Sequence, residues 1–223
     1  MRPVLKPGTA ESVAGPFLLM YVPDKLFVPG DAGATASNIL AHQSLFKAHI
    51  VVGIAANVLF IGAVLALYQL LEGVNRPLAV LMVSLILIIM PLAFLGVANE
   101  LATLTLLRDP GFLGAFDKPQ GNAVSTLLIN FEQAGVYVYE IFWGLWLLPL
   151  GVLVYRSGFL PRWLGIWLLI NGMGYLILST TGILWPQHYG ALFRLATPVL
   201  LGEVGLMLWL LIVGARVRRP AVA

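Results

Sequence analysis

The sequence predicts an all-α, polytopic transmembrane helix bundle, and three observations carry that reading. Of 223 residues, 60% are apolar and only 10% charged, whereas a soluble domain is roughly half apolar and a quarter charged. Mean hydropathy is +0.92, and apolar runs of about 20 residues recur, the length a helix needs to cross roughly 30 Å of hydrocarbon. Windows such as LAVLMVSLILIIMPLAFLGVA lack the apolar–polar alternation over about ten residues that marks a membrane-barrel strand. The whole chain reads as a single integral membrane domain.

The N-terminal stretch MRPVLKPGTAESVAGPFLLMYVP is broken by prolines at 3, 7 and 16 and has too short an apolar run for a cleavable signal peptide. Ser12 to Val22 is about half a span: either an interfacial or re-entrant piece, or the remnant of a first helix. Five or six spans are both compatible with it. Pro29-Gly30-Asp31 is a turn ending in an N-cap, so Ala32 to Phe46 is expected to start a helix in the outer interface that leads into the first span.

Five spans follow, at 48–71, 78–106, 128–155, 163–185 and 193–215. Asn75-Arg76-Pro77, Asp109-Pro110-Gly111, Ser157-Gly158 with Pro161, and Trp185-Pro186 punctuate them, and a loop from Arg108 to Val124 is expected on the outer face. Trp163 and Trp185 lie one helix length of about 33 Å apart, matching two interfacial aromatic belts. Arg76, Arg156, Arg162 and the tail arginines 216, 218 and 219 fall on one side. Lys25, Lys47, Arg108, Lys118 and Arg194 fall on the other. The clustered tail arginines favour a cytoplasmic C-terminus in the cell membrane. The same placement accounts for the net charge of +3 without a nucleic-acid partner. There is no cysteine, which excludes disulfides and thiolate metal ligands. Nothing in the sequence sets an oligomeric state.

Two stretches, YVPDKLFVPGDAGATASNIL (21–40) and FWGLWLLPLGVLVYRSGFLPRWLGIWLLINGMGYL (142–176), resemble the prokaryotic membrane family called domain of unknown function 4386. The likeness covers nearly the whole chain, and the YRSGFLPR turn is its most specific element. The resemblance implies topology and no catalytic residue: a full hydrophobic helix before the YVP motif, six spans, and both termini inside. Residues 1–20 depart from that pattern.

Gly144, Gly151, Gly158, Gly165 and Gly172 are each seven apart. In an antiparallel hairpin about Gly158, Gly151 would meet Gly165 and Gly144 would meet Gly172, a side-chain-free seam of the kind that lets membrane helices approach closely. Gln133, Tyr137, Glu140 and Gly144 follow helical spacing on the same stripe, which turns Glu140 into the bundle. Glu132, nearer the outer end, reads equally as an interfacial carboxylate. Counted from the outer face at about 1.5 Å per residue, Glu203 lies about 15 Å deep, Glu140 about 18 Å, Asn57 about 14 Å, and Glu100 with Asn99 about 9 Å.

Three carboxylates at such depth each cost a few kcal/mol and are usually paired, protonated or functional. A polar site in the outer half is therefore expected, set against structural hydrogen bonds between helices as the bland alternative. The inner half has almost no ionisable groups, which argues against a continuous polar path. Pro91, Pro149 and Pro198 are expected to bend their spans and free carbonyls near the site.

His42 and His49 are about 10 Å apart along a helix, too far to share an ion directly. His49 with Glu100 and Glu140 or Glu203 would have the ligand types of zinc or another divalent metal, though no HExxH spacing supports it. GxSxG, Walker A and Rossmann glycine patterns are missing, so those enzyme classes have no sequence support, and no lysine lies deep in a span to form a retinal Schiff base.

Three functions fit. The preferred one is binding or movement of a cation, proton or amine-bearing small molecule by Glu140, Glu203 and Glu100. The second is a membrane-embedded acid/base or metal-dependent enzyme acting on a lipid-like substrate. The third is a non-catalytic membrane partner whose acids lock helices together.

Overall fold

In a computed structural model, residues 21–28, 31–108 and 118–214 are described. Among them helix is the only regular structure: α1 (Val22–Leu26), α2 (Ala32–Ala41), α3 (Gln43–Leu71), α4 (Arg76–Arg108), α5 (Lys118–Arg156), α6 (Arg162–Leu184), α7 (Pro186–Leu200) and α8 (Gly202–Ile212). Among the described residues five helical stretches are long and apolar enough to cross a bilayer: Gln43–Leu71, Arg76–Arg108, Ala134–Arg156, Arg162–Leu184 and Pro186–Ile212. A helix satisfies its own backbone groups, which lets apolar segments of this length cross lipid. The apolar piece expected at Ser12 to Val22 lies, up to residue 20, outside the described residues.

Most boundaries fall within a few residues of expectation, and the departures have physical causes. The third span was expected from Leu128, but its helix begins at Lys118, so the loop expected to reach Val124 is shorter. Hydropathy registers only the part of a helix in hydrocarbon, and Gln120, Asn122, Ser125 and Thr126 hide the polar continuation. The fifth span was expected from Phe193 but starts at Pro186. Gln187, His188 and Arg194 mask it, while a proline in the first turn is preset for helix. The single helix expected over Ala32 to Phe46 is divided at His42, whose amide bonds the Asn38 carbonyl at 2.9 Å.

The chain forms two compact units. The first takes in 61–89 and 137–214. Its core includes Met82, Ile86, Trp146, Leu147, Leu150 and Leu168. Asn75 starts α4 with its side chain, accepting from the Leu78 amide at 3.0 Å. Gly158 turns the α5–α6 hairpin at φ +71°, a left-handed conformation that glycine adopts without steric cost. The second unit takes in 21–60 and 90–136, with Val22, Leu26, Ile39, Phe46, Ile50 and Leu104 as its core. There Asp31 caps α2, accepting from the Ala34 amide at 2.8 Å. The Thr35 hydroxyl accepts from the Val28 amide at 2.9 Å.

In the first unit, the glycines of α5 and α6 put backbone against backbone. A Cβ on Gly144 would stand 2.7 Å from the Gly172 carbonyl oxygen, and one on Gly151 would stand 2.9 Å from that of Gly165. Pro91 and Pro149 sit inside continuous helices, whereas Pro198 precedes the break at Leu201 that separates α7 from α8.

Candidate functional site

The break after Pro198 builds the first part of the site. Where a membrane helix is interrupted, freed carbonyls must find other donors, and two side chains of α6 supply them. Trp167 donates its indole N–H to the Val199 carbonyl at 3.1 Å, and Asn171 donates its amide to that of Leu200 at 3.2 Å. Both side chains reach this level because α8 opens with glycines: a Cβ on Gly202 would meet the Asn171 amide at 3.2 Å, and one on Gly205 the Trp167 ring at 3.0 Å.

Glu203 follows immediately, in the first turn of α8, where the helix N-terminus favours negative charge. Its carboxylate is well served. Trp143 of α5 donates its indole N–H to both oxygens, at 2.8 and 2.9 Å, and Asn171 adds a bond of 3.4 Å. Tyr139 stacks on Trp143 with ring centroids 5.1 Å apart.

Glu140 is placed differently. It is 5% exposed, and its Oε1 accepts from the Tyr189 hydroxyl of α7 at 2.6 Å. Its Oε2 is buried without a hydrogen-bond partner, as is Oδ1 of Asn171, itself fully buried. Tyr189 is held edge-on by Tyr137 at 5.0 Å. The Tyr137 ring packs against Gly182, where a Cβ would collide with it, and the Tyr137 carbonyl accepts from the Ser179 hydroxyl at 2.6 Å. Tyr175 of α6 lies within electrostatic reach of both carboxylates and of the Tyr139 and Tyr189 hydroxyls. The first unit therefore holds two carboxylates walled by aromatic rings. Among the described residues neither has a cationic partner, the one ion pair being that of His49 with Glu100.

The remaining sequence candidates fall in the second unit. His49 Nε2 meets Glu100 Oε1 at 3.2 Å, while His49 Nδ1 is buried without a partner. The His49 ring stacks on Phe46 at 6.4 Å. Asn99 donates to the Leu128 carbonyl at 3.1 Å, and its own carbonyl accepts from Thr103 at 2.9 Å. Asn57 is half-buried. The side chains of Glu132 and Gln133 lie outside the described residues. Among the described residues no three His, Asp or Glu side chains gather as a metal-ligand set, and the expected set of His49 and Glu100 with Glu140 or Glu203 draws its members from both units.

Sequence reasoning missed Trp143, Asn171, Tyr175 and Tyr189. Asn171 carried a readable signal, since it is an amide within an apolar span, one residue before Gly172 of the seam. Tyr189 lay in what read as a loop.

The comparisons with known proteins settle the family. The family model described as a domain of unknown function, DUF4386, matches residues 10–214. The chain belongs to that family. A 76-residue stretch is 36% identical to an uncharacterised protein of Archaeoglobus fulgidus, covering 34% of this chain and 44% of the relative. The chain thus matches less than half the length of that relative. No solved structure matches it.

Proposed function

We propose that this multi-pass membrane protein reversibly binds a small cation at Glu140 and Glu203, in the outer half of the bilayer, with its C-terminus on the cytoplasmic side. The supporting observation is the buried Oε2 of Glu140, for which no donor is found among the described residues. A buried carboxylate oxygen left unmatched costs free energy, and a bound proton, ammonium group or small metal cation would remove that cost. Asn171 Oδ1 is a second buried acceptor of the same character. The scarcity of ionisable residues in the inner half favours binding over conduction.

The test is thermal unfolding of the purified protein in mild detergent, with sodium, potassium or methylammonium titrated at several pH values. A ligand at about 100 times its Kd stabilises by about 2.7 kcal/mol, equivalent to roughly 5–10 °C in Tm for a chain of this size. Wild type should respond to at least one cation or to pH in this way, and Glu140→Gln should be flat and equally or more stable. No response in wild type, or the same response in Glu140→Gln, would defeat the proposal.

A further inference from the structure

Within the second unit, the start of α3 and the end of α4 enclose a groove of about 710 Å³, within the 300–1,000 Å³ typical of small-ligand sites. Its floor and walls are Ile50, Val51, Leu101 and Leu104, and Lys47 and Arg108 line it as well. Lys47 falls in the first two turns of α3 and Arg108 is the last residue of α4, so both charges stand at one end of the antiparallel pair. One end is cationic and the rest is apolar. Interfacial lysines and arginines often serve only to snorkel to the headgroup level, but these two share a single apolar groove with a charge of one sign.

Among the described residues no acid lines the groove. Glu100 precedes Leu101 in sequence yet does not line the groove, and its carboxylate is taken by His49 at 3.2 Å. Thr105 also lines the groove, with its hydroxyl donating to the Leu101 carbonyl at 2.9 Å. The fixed donors left for a ligand are an ammonium and a guanidinium, the latter matched to phosphate oxygens in pairs.

We infer that this groove binds an anionic phospholipid, its phosphate held by Lys47 and Arg108 and an acyl chain lying along Ile50, Val51, Leu101 and Leu104. Charge complementarity at a membrane surface and basic pockets between membrane helices have this consequence. The assignment is independent of the carboxylates in the other unit.

The experiment is native mass spectrometry of the delipidated full chain titrated with phosphatidylglycerol or phosphatidylcholine, alongside Lys47→Gln/Arg108→Gln and Leu101→Trp. These substitutions lie on exposed positions, so folding is checked by thermal unfolding without lipid. Wild type should bind phosphatidylglycerol at least tenfold more tightly than phosphatidylcholine. The double variant should bring the two within twofold. Leu101→Trp, which fills the groove and keeps both charges, should weaken phosphatidylglycerol binding at least fivefold. Equal affinity for the two lipids in wild type, an unchanged double variant, or equal binding by glycerol 1-phosphate alone would each overturn the assignment, the last by making this a site for a soluble anion.

Discussion

Gly165→Ala is the sharpest perturbation of the hairpin that carries Glu140, Trp143 and Asn171. A Cβ there would lie 2.6 Å from the Tyr155 backbone nitrogen and 2.7 Å from the Gly151 carbonyl oxygen, against 3.4 Å for the onset of ordinary contact. Both obstacles are backbone, so no rotamer change relieves them, and α5 and α6 must separate by several tenths of an ångström. A gap of 0.5–1 Å forfeits a quarter to a half of each dispersion contact along the seam, and overpacking of this kind costs about 1–3 kcal/mol. Alanine returns about 1 kcal/mol of helix propensity. With two backbone collisions the upper part of the range applies, giving a net loss of about 2 kcal/mol. Gly62 is the internal control, because a Cβ there meets nothing within 4 Å, and Gly62→Ala should gain up to about 1 kcal/mol. Reversible unfolding in mixed detergent–SDS micelles, followed by circular dichroism, measures both. Equal effects of the same sign at the two positions would refute the close-packed seam.

Tyr189→Phe removes the donor to Glu140 and leaves both carboxylate oxygens buried without a protein partner, so it should cost about 1–3 kcal/mol, and Glu140→Gln in the same background should recover part of it. Asn171→Leu strips a donor from the Leu200 carbonyl and from Glu203 and should cost a similar amount, read in the same unfolding assay. Asp31→Ala removes the α2 cap, costing about 1 kcal/mol, and amide exchange should accelerate at residues 33–35 while the α5–α6 hairpin stays protected.

The spans were legible because lipid leaves a helix little freedom: about 20 apolar residues, aromatic ends and proline–glycine punctuation suffice. The facing glycines were legible for a similar reason, since a seven-residue spacing on both sides of a turn fixes which positions can meet. Helix ends outside hydrocarbon were not, because Lys118 to Ala123 and Gln187 to Arg194 give no hydropathy signal. The break at Leu201 was half legible. Pro198 and Gly202 mark weak backbone, but Pro91 and Pro149 are the same residue type in unbroken helices, and only the donors from Trp167 and Asn171 distinguish them. Of the carboxylates, Glu140 could be placed from its spacing to Gly144. The partners of Glu203 and Glu140 could not, because Trp143 and Tyr189 reach them from other helices over 60 and 49 residues of sequence.

Cation-exchange infrared difference spectroscopy on the membrane-reconstituted protein tests the proposed cation site most directly, because it reads the carboxyl groups themselves. Exchanging the stabilising cation for an inert one should shift carboxyl or carboxylate bands, with the change removed in Glu140→Gln and altered in Glu203→Gln. A wild-type difference spectrum without carboxyl bands, or one unchanged in Glu140→Gln, would mean that these acids serve only to hold the helices together.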